Sequence, residues 1–213
     1  ETILGIGMAL VMAKDFHGRG LLRAAVLVPW AIPTAITAKL WAFLFSEQGI
    51  VNSIFHAHVA WQTDPWAARF SIILADVWKT TPFMALLILA GLQMIPKDLY
   101  EAARMDGANA WQRFTRITLP LAKNSIIVAV LFRMLDALRM YDLPYIMVGP
   151  NPDSPTATLS QLVVAAIRQD HVNAASALST LIFLLIFLIA LCFVKSLGSK
   201  VAHQAEPVVA EEE

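Results

Sequence analysis

Six ionisable side chains stand inside stretches that are otherwise apolar: Lys39, Asp76, Lys79, Arg133, Asp136 and Arg139. A charge at the centre of a bilayer costs about 2.5–3.5 kcal/mol on the insertion scale. Such groups have to face protein, water or one another rather than lipid. Asp76 and Lys79 are three residues apart, a spacing that lets two side chains pair on one helix face. Arg133 and Asp136 repeat that spacing, with Arg139 and Met140 one turn further and Tyr141 and Tyr145 beyond. This is hydrogen-bonding and stacking chemistry rather than bond-breaking chemistry. His56 and His58 offer two metal-binding nitrogens, but no third ligand is placed nearby, so a surface loop is the expected reading. The chain has no GxxxxGK[ST] and is not itself an ATPase.

The elements that must position these groups are membrane spans. Hydrophobic residues make up 58% of the 213 positions and charged residues only 15%, against about 25% charged in a soluble domain. Formal net charge is zero, which argues against a nucleic-acid partner. The single cysteine, Cys192, lies in an apolar run and has no partner for an internal disulfide. A spanning helix needs about 20 mostly apolar residues. Four segments qualify, at roughly Leu21–Phe45, Phe70–Gln93, Leu121–Leu143 and Ala174–Val194, and Ile3–Ala13 is part of a fifth. The expected fold is an all-α polytopic bundle of about five spans. Glu1 opens inside an apolar stretch, so the N-terminus reads as truncated.

Lysine and arginine set the orientation. Lys14, Arg19, Arg23, Lys97, Arg104, Arg113, Arg116, Lys123, Lys195 and Lys200 fall on one side. Only Arg69 and Arg168 fall on the other, so the richer side is expected in the cytoplasm, together with the C-terminus. Residues 1–200 form the membrane domain, and the acidic tail 201–213 is expected to be disordered. On the outer side, GPNPDSPTAT has too many prolines for a helix. The amphipathic piece Leu159–Arg168 after it is expected at the membrane surface.

The longest inner connection reads IPKDLYEAARMDGANAWQRFTRITLPLAK. Pro96 suits a helix start, and Asp98 and Glu101 lie near its positive end. Asp106-Gly107 ends that helix, because Gly accepts the left-handed conformation of a helix terminus. Trp111, Phe114 and Ile117 then give one apolar stripe, until Pro120 interrupts the second helix. The result is a helical hairpin at the cytoplasmic face. It is either a plain connection or a docking element.

Glu101-Ala102-Ala103, Gly107 and Ile117-Thr118-Leu119-Pro120 reproduce EAA-x3-G-x9-I-x-LP at both spacings. This resembles the coupling loop (residues 96–120) of permease subunits of bacterial ATP-binding-cassette importers. The flanking text, with RAAVLVPWAIP and DVWKTTPF, looks like the carbohydrate branch around the maltose and trehalose permeases. LFRMLDALRMYD is similar to the trehalose-importing members. The resemblance runs from Glu1 to about Gly198. It implies a multi-pass subunit of the bacterial inner membrane with no cofactor of its own, ATP and Mg being bound by the partner ATPase. Implied partners are a second permease subunit, ATP-binding subunits, an extracytoplasmic solute-binding protein, a carbohydrate and membrane lipid.

By the same resemblance Glu101, Ala102, Ala103, Asp106, Gly107, Ile117, Leu119 and Pro120 dock the ATPase. Two small alanines permit close approach, and Glu101 offers a charge-assisted contact. The resemblance also puts Arg133, Asp136, Met140 and Tyr141 on the substrate pathway. For Arg133 and Asp136, sugar contact and pairing between the two permease subunits stand as equal alternatives. Lys39 sits near the outer end of its span and has no assigned role. Pro82 removes a backbone hydrogen bond, which Thr80 and Thr81 could help satisfy. Two departures from the family pattern are a missing first span and Met147-Val148-Gly149-Pro150 in place of Thr-x-Gly-Gly-Pro. Glycerol phosphate or another small polar solute is the alternative cargo, and an ion-coupled carrier the alternative class. The carrier leaves the hairpin unexplained and would show an inverted repeat.

Overall fold

Apolar runs long enough to cross a bilayer close their backbone hydrogen bonds within one helix, because lipid supplies no partners. The computed structural model is accordingly helical throughout its regular elements. It describes residues 1–205 apart from 57 and 152, with side chains described to residue 195. Three helices are long and apolar enough to span: Pro65–Gln93, Ala110–Leu138 and Val172–Lys195. A bent pair, Arg19–Ala31 with Thr34–Leu44, makes a fourth. The first helix, α1 (Thr2–Ala13), has 12 residues.

The bent pair corrects the expectation of one span over Leu21–Phe45. α2 (Arg19–Ala31) and α3 (Thr34–Leu44) meet at 86°. Pro33 lacks the N–H that would continue the ladder, and its ring disfavours helical backbone at Ile32. Ile32 is extended at φ −71°, ψ 132°. A short helix, α4 (Ile50–Phe55), follows. Its buried Asn52 donates to the carbonyls of Glu47 and Val59 at 3.0 Å each and accepts from Trp61 Nε1 at 2.7 Å. That asparagine closes the loop around α4, beside the rings of Phe45 and Trp61, whose centroids lie 4.9 Å apart.

α5 (Pro65–Gln93) is the central element, and α1, α2, α3, α8 and α9 all pack on it. It starts earlier than its apolar run, because Asp64 caps it by accepting from Trp66 N–H and Ala67 N–H at 3.0 and 2.8 Å. Pro65 fits the first position. The helix passes through Pro82 without a break. Thr80 and Thr81 do not serve the carbonyl that Pro82 frees, that of Trp78. Their hydroxyls donate instead to the carbonyls of Asp76 (2.7 Å) and Val77 (2.6 Å).

Pro120 is a second correction, since it does not end the helix that precedes it. α7 (Ala110–Arg113), a π turn over Phe114–Thr118 and α8 (Leu119–Leu138) run on as one rod. Leu119 N–H bonds back to the carbonyl of Phe114, five residues earlier, and the wider turn takes up the donor missing at Pro120. At the other end α8 stops at Leu138, short of the expected Leu143. After a break at 139–141 comes α9 (Asp142–Val148), which packs on α3 and α5. No helix occurs among the described residues between Gly149 and Thr158.

Two apolar cores hold the bundle. One joins Ala9 and Met12 of α1, Met84, Ala85, Ile88 and Leu89 of α5, and Ala122 and Ala129 of α8. The other joins Ala38 of α3, Ile72 and Ala75 of α5, and Leu143 and Met147 of α9. Alanines recur at these contacts because association within a bilayer rests on close packing rather than on hydrophobic burial. α10 (Leu159–Arg168) packs on α11 (Val172–Ala205), and the span within α11 leaves its side chains uncovered in the single chain. α11 continues to Ala205, while 206–213 of the acidic tail lie outside the described residues.

The tightest approach is at Gly91, where an added Cβ would lie 2.1 Å from Ser125 Oγ and 2.3 Å from its Cβ. Gly91→Ala should therefore overpack α5 against α8 and cost about 1–3 kcal/mol. The thermal midpoint of the purified, detergent-solubilised protein should fall. Adding Ser125→Gly, whose Cα is 3.8 Å away, should restore it. An unchanged midpoint in Gly91→Ala would show that the helices are not in contact there.

Candidate functional site

The connection over residues 95–120 folds as the hairpin expected from its residues. α6 (Lys97–Met105) ends where Gly107 takes φ +77°. Gly107 N–H donates to the carbonyl of Arg104 at 3.0 Å, and Ala108 N–H to that of Ala103 at 2.9 Å. These are the two bonds of a Schellman terminus, which needs a left-handed residue at Gly107. Asn109 opens the second arm with a reciprocal cap. Its side chain accepts from Gln112 N–H at 2.9 Å, and Gln112 Oε1 accepts from Asn109 N–H at 2.8 Å.

Glu101, Ala102, Asp106, Gly107, Leu119 and Pro120 are exposed, and Ala103 is half-buried. Ile117 turns inward and packs against the core of α1, α5 and α8. Trp111 stays 70% exposed and Met105 88% exposed, so the expected stripe of Trp111, Phe114 and Ile117 is split between outside and inside. The hairpin thus presents an apolar and acidic rim while its base is anchored. Two anchors were not evident from the sequence. Tyr100 Oη and Thr118 Oγ1 are 3.0 Å apart and join the two arms. Lys97 Nζ reaches Asp15 Oδ2 at 3.1 Å, tying the hairpin to the α1–α2 connection. Lys97's hydrogen bond, then its charge, holds the Asp15 carboxyl below the usual range. Both groups are exposed, so the pair stabilises little.

The charges within the spans assemble differently from their sequence spacing. Asp76 and Lys79 do not pair. Arg133, 9% exposed in its side chain, takes Asp76 through Nη2. It also binds Glu1 of α1, with Nη2 to Oε1 at 3.1 Å, and Asp136 through Nη1 at 3.2 Å. One guanidinium with three carboxylates joins α1, α5 and α8. Asp136 is the open member, its side chain 61% exposed against 15% for Asp76. Lys79 turns away and donates to the carbonyls of Ile32 at 2.6 Å and Trp30 at 3.4 Å. Arg139 is exposed and, among the described residues, bonds its own helix at the carbonyl of Leu135.

Met140 and Tyr141 lie in the break between α8 and α9, not on the helix face that the sequence implied. Thr158 Oγ1 donates to the carbonyl of Met140 at 2.8 Å, pinning that break to the start of α10. Tyr141 and Tyr145 stack with centroids 5.0 Å apart, and Arg168 Nη1 donates to Tyr145 Oη at 2.8 Å. Asp136 is exposed at the end of α8, and Met140 and Tyr141 follow it in the break before α9. His56 and His58 line a shallow open hollow with Glu47, Gln48, Asn52 and Ser53. Among the described residues no group of three or more His, Cys, Asp or Glu could hold a metal.

A bundle of apolar helices with a charged cluster between spans and an anchored hairpin on one face defines a membrane transport subunit. Residues 1–203 match the family model of the binding-protein-dependent transport system inner membrane component, and the chain belongs to that family. As a member it is a non-catalytic, multi-pass membrane component without a cofactor of its own. It is 45% identical over 200 residues to the trehalose/maltose transport system permease protein MalF of Thermococcus litoralis, covering 92% of this chain and 68% of that one. It is 39% identical over 201 residues to the trehalose transport system permease protein SugA of Mycobacterium tuberculosis, covering 93% of this chain and 65% of that one. The chain therefore spans about two thirds of the length of these relatives. Its fold matches a solved bacterial alginate ABC transporter in complex with an alginate pentasaccharide-bound periplasmic protein. The TM-score there is 0.79 at 25% identity, over 90% of this chain and 70% of the solved one.

Proposed function

We propose that this chain is the permease subunit of an ATP-driven sugar importer, forming half of the translocation pathway. The observation that carries the reading is the hairpin: a complete EAA-x3-G-x9-I-x-LP motif, turned outward at Gly107 and braced at its base. Glu101, Ala102, Ala103, Asp106 and Gly107 meet a groove on a separate ATP-binding subunit, while Ile117, Leu119 and Pro120 carry the motion into α8. A second permease subunit completes the pathway, and the uncovered apolar side chains of α11 face lipid. A solute-binding protein delivers the sugar from outside, in keeping with the family's name and with the periplasmic protein bound in the alginate transporter. The hairpin and the C-terminus lie in the cytoplasm.

The cargo is a neutral sugar of the trehalose and maltose kind, as in the two relatives. Asp136 contacts it through its open carboxylate oxygen, with Met140 and Tyr141 beside it and Arg133 holding Asp136 in place. A phosphorylated cargo fits less well. Arg133 is already matched by three carboxylates, which leaves Arg139 as the one arginine of the expected span Leu121–Leu143 without a carboxylate among the described residues.

Gly107→Val should strain the turn, because a β-branched residue tolerates positive φ poorly. Transport and substrate-stimulated ATP hydrolysis should fall together while membrane insertion survives. Normal transport in this variant would refute the coupling role.

Cysteines introduced at Asn109 and Asn151 should react oppositely with a membrane-impermeant thiol reagent applied to intact cells. Residue 151 should label and residue 109 should not. The reverse pattern would invert the orientation and remove the hairpin from the cytoplasm.

Asp136→Asn should leave assembly and basal ATP hydrolysis intact and weaken uptake by about tenfold, the loss of one charge-assisted hydrogen bond. The loss should differ among sugars, since individual hydroxyls lose their partner. An equal loss for every sugar with a loosened complex would instead assign Asp136 to the partner permease. Wild-type uptake with wild-type assembly would remove both roles.

A further inference from the structure

Lys79 is a buried ammonium in mid-span whose partners are not charged. Its Nζ lies 2.6 Å from the carbonyl of Ile32 and 3.4 Å from that of Trp30, at the end of α2. Among the described residues neither carbonyl has a backbone donor, because the chain turns through 86° at Pro33 instead of continuing the ladder. Unpaired carbonyls inside a membrane protein cost several kcal/mol. A cation at a helix C-terminus also meets the negative end of the helix dipole. α2 is further fixed to α5 by Trp30, which stacks on Phe83 at 5.5 Å.

Lys79 has an obvious competitor for its charge. Asp76 stands one turn before it on α5, at the spacing that pairs side chains. That carboxylate is already taken by Arg133 of α8. The choice of Lys79 for the α2 carbonyls thus depends on a residue of another helix.

We propose that Lys79 is the positioning residue of the broken α2–α3 span, and that Arg133 keeps it there by occupying Asp76. The break is then not a property of Pro33 alone. It is held from α5, and its angle answers to the charge arrangement between α5 and α8. Were Arg133 to leave Asp76, Lys79 would gain an ionic partner at i−3 and release the carbonyls. This inference concerns the shape of one span and does not depend on which solute is carried.

The test measures that shape. Leu21 on α2 and Phe43 on α3 are 78% and 65% exposed and can carry spin labels. α3 has 11 residues, about 16 Å at 1.5 Å per residue, so opening the bend by about 15° moves its far end by about 4 Å. In the assembled, membrane-reconstituted transporter, the parent should give one narrow distance distribution. Lys79→Met should broaden or shift it by about 4 Å, and Lys79→Arg, which keeps a donor and a charge, should retain it. A Lys79→Met distribution that superposes on the parent's overturns the proposal. Should Lys79→Met fail to assemble, Arg133→Gln replaces it. That variant should loosen the bend by freeing Asp76 to capture Lys79, and Arg133→Gln with Asp76→Asn should tighten it again. A bend that is unaltered in Arg133→Gln, or that stays loose in the double variant, overturns the proposal equally.

Discussion

Polar groups in the middle of this bundle depend on partners within the protein, because hydrocarbon offers none. The helices settle most of that requirement by themselves, and the exceptions organise the rest. Where α1 ends, Arg23 Nη2 donates to the carbonyl of Met12 at 2.6 Å. Where α2 ends, Lys79 donates to Ile32 and Trp30. Where α8 ends, Thr158 reaches the carbonyl of Met140. Two helix C-termini and the break after α8 are thus closed by side chains from other elements, and each closure also fixes a direction of the chain.

The same requirement explains the cluster at Arg133. A guanidinium with 9% of its side chain exposed is tolerable only with its donors engaged, and Glu1, Asp76 and Asp136 engage them from three helices. Buried ion pairs of this kind gain little net stability, since desolvation offsets the attraction. What they impose is geometry. Removing one member leaves the others unsatisfied, so the cluster ties the relative placement of α1, α5 and α8 to one set of partners. The small-residue contacts at Ala85, Ala122, Ala129 and Gly91 let these helices come close enough for the cluster to form.

The legible and illegible parts of this molecule divide along the range of the interactions involved. The hairpin was readable because its determinants are local: a Gly at the left-handed position, a Pro before α6, and a motif with fixed spacings. The spans were readable as apolar lengths, but their breaks were not. Pro29 and Pro33 in RAAVLVPWAIP were a signal for the bend in α2–α3. Pro82 and Pro120 are equally visible, yet they leave their helices continuous, so proline alone does not decide. At Pro33 the chain bends and the carbonyls left open meet Lys79, whereas at Pro120 a π turn absorbs the missing donor. The partner of Asp76 was misjudged for the same reason. Spacing along α5 favours Lys79, but the arginine of a neighbouring helix lies closer and brings more donors.

These long-range choices link the two ends of the subunit. The hairpin is built into α8 without interruption, since α7, the π turn and α8 form one rod from Ala110 to Leu138. Under the function proposed above, a push on the hairpin is delivered along α8 to Arg133, about 23 residues or 35 Å beyond Ala110 at 1.5 Å per residue. A π turn is less regular than an α-helix and tends to mark functional sites. Here it lies at Phe114–Thr118, where Tyr100 braces the first arm of the hairpin against Thr118. At the far end Arg133 holds Asp76, and on the proposal above its displacement would reach Lys79 through Asp76. With the hairpin as the proposed docking surface, a continuous rod, one shared arginine and two competing partners for Asp76 would carry a movement there to the bend in α2–α3. No continuous chain of side chains is needed between them, because the helix itself spans the distance.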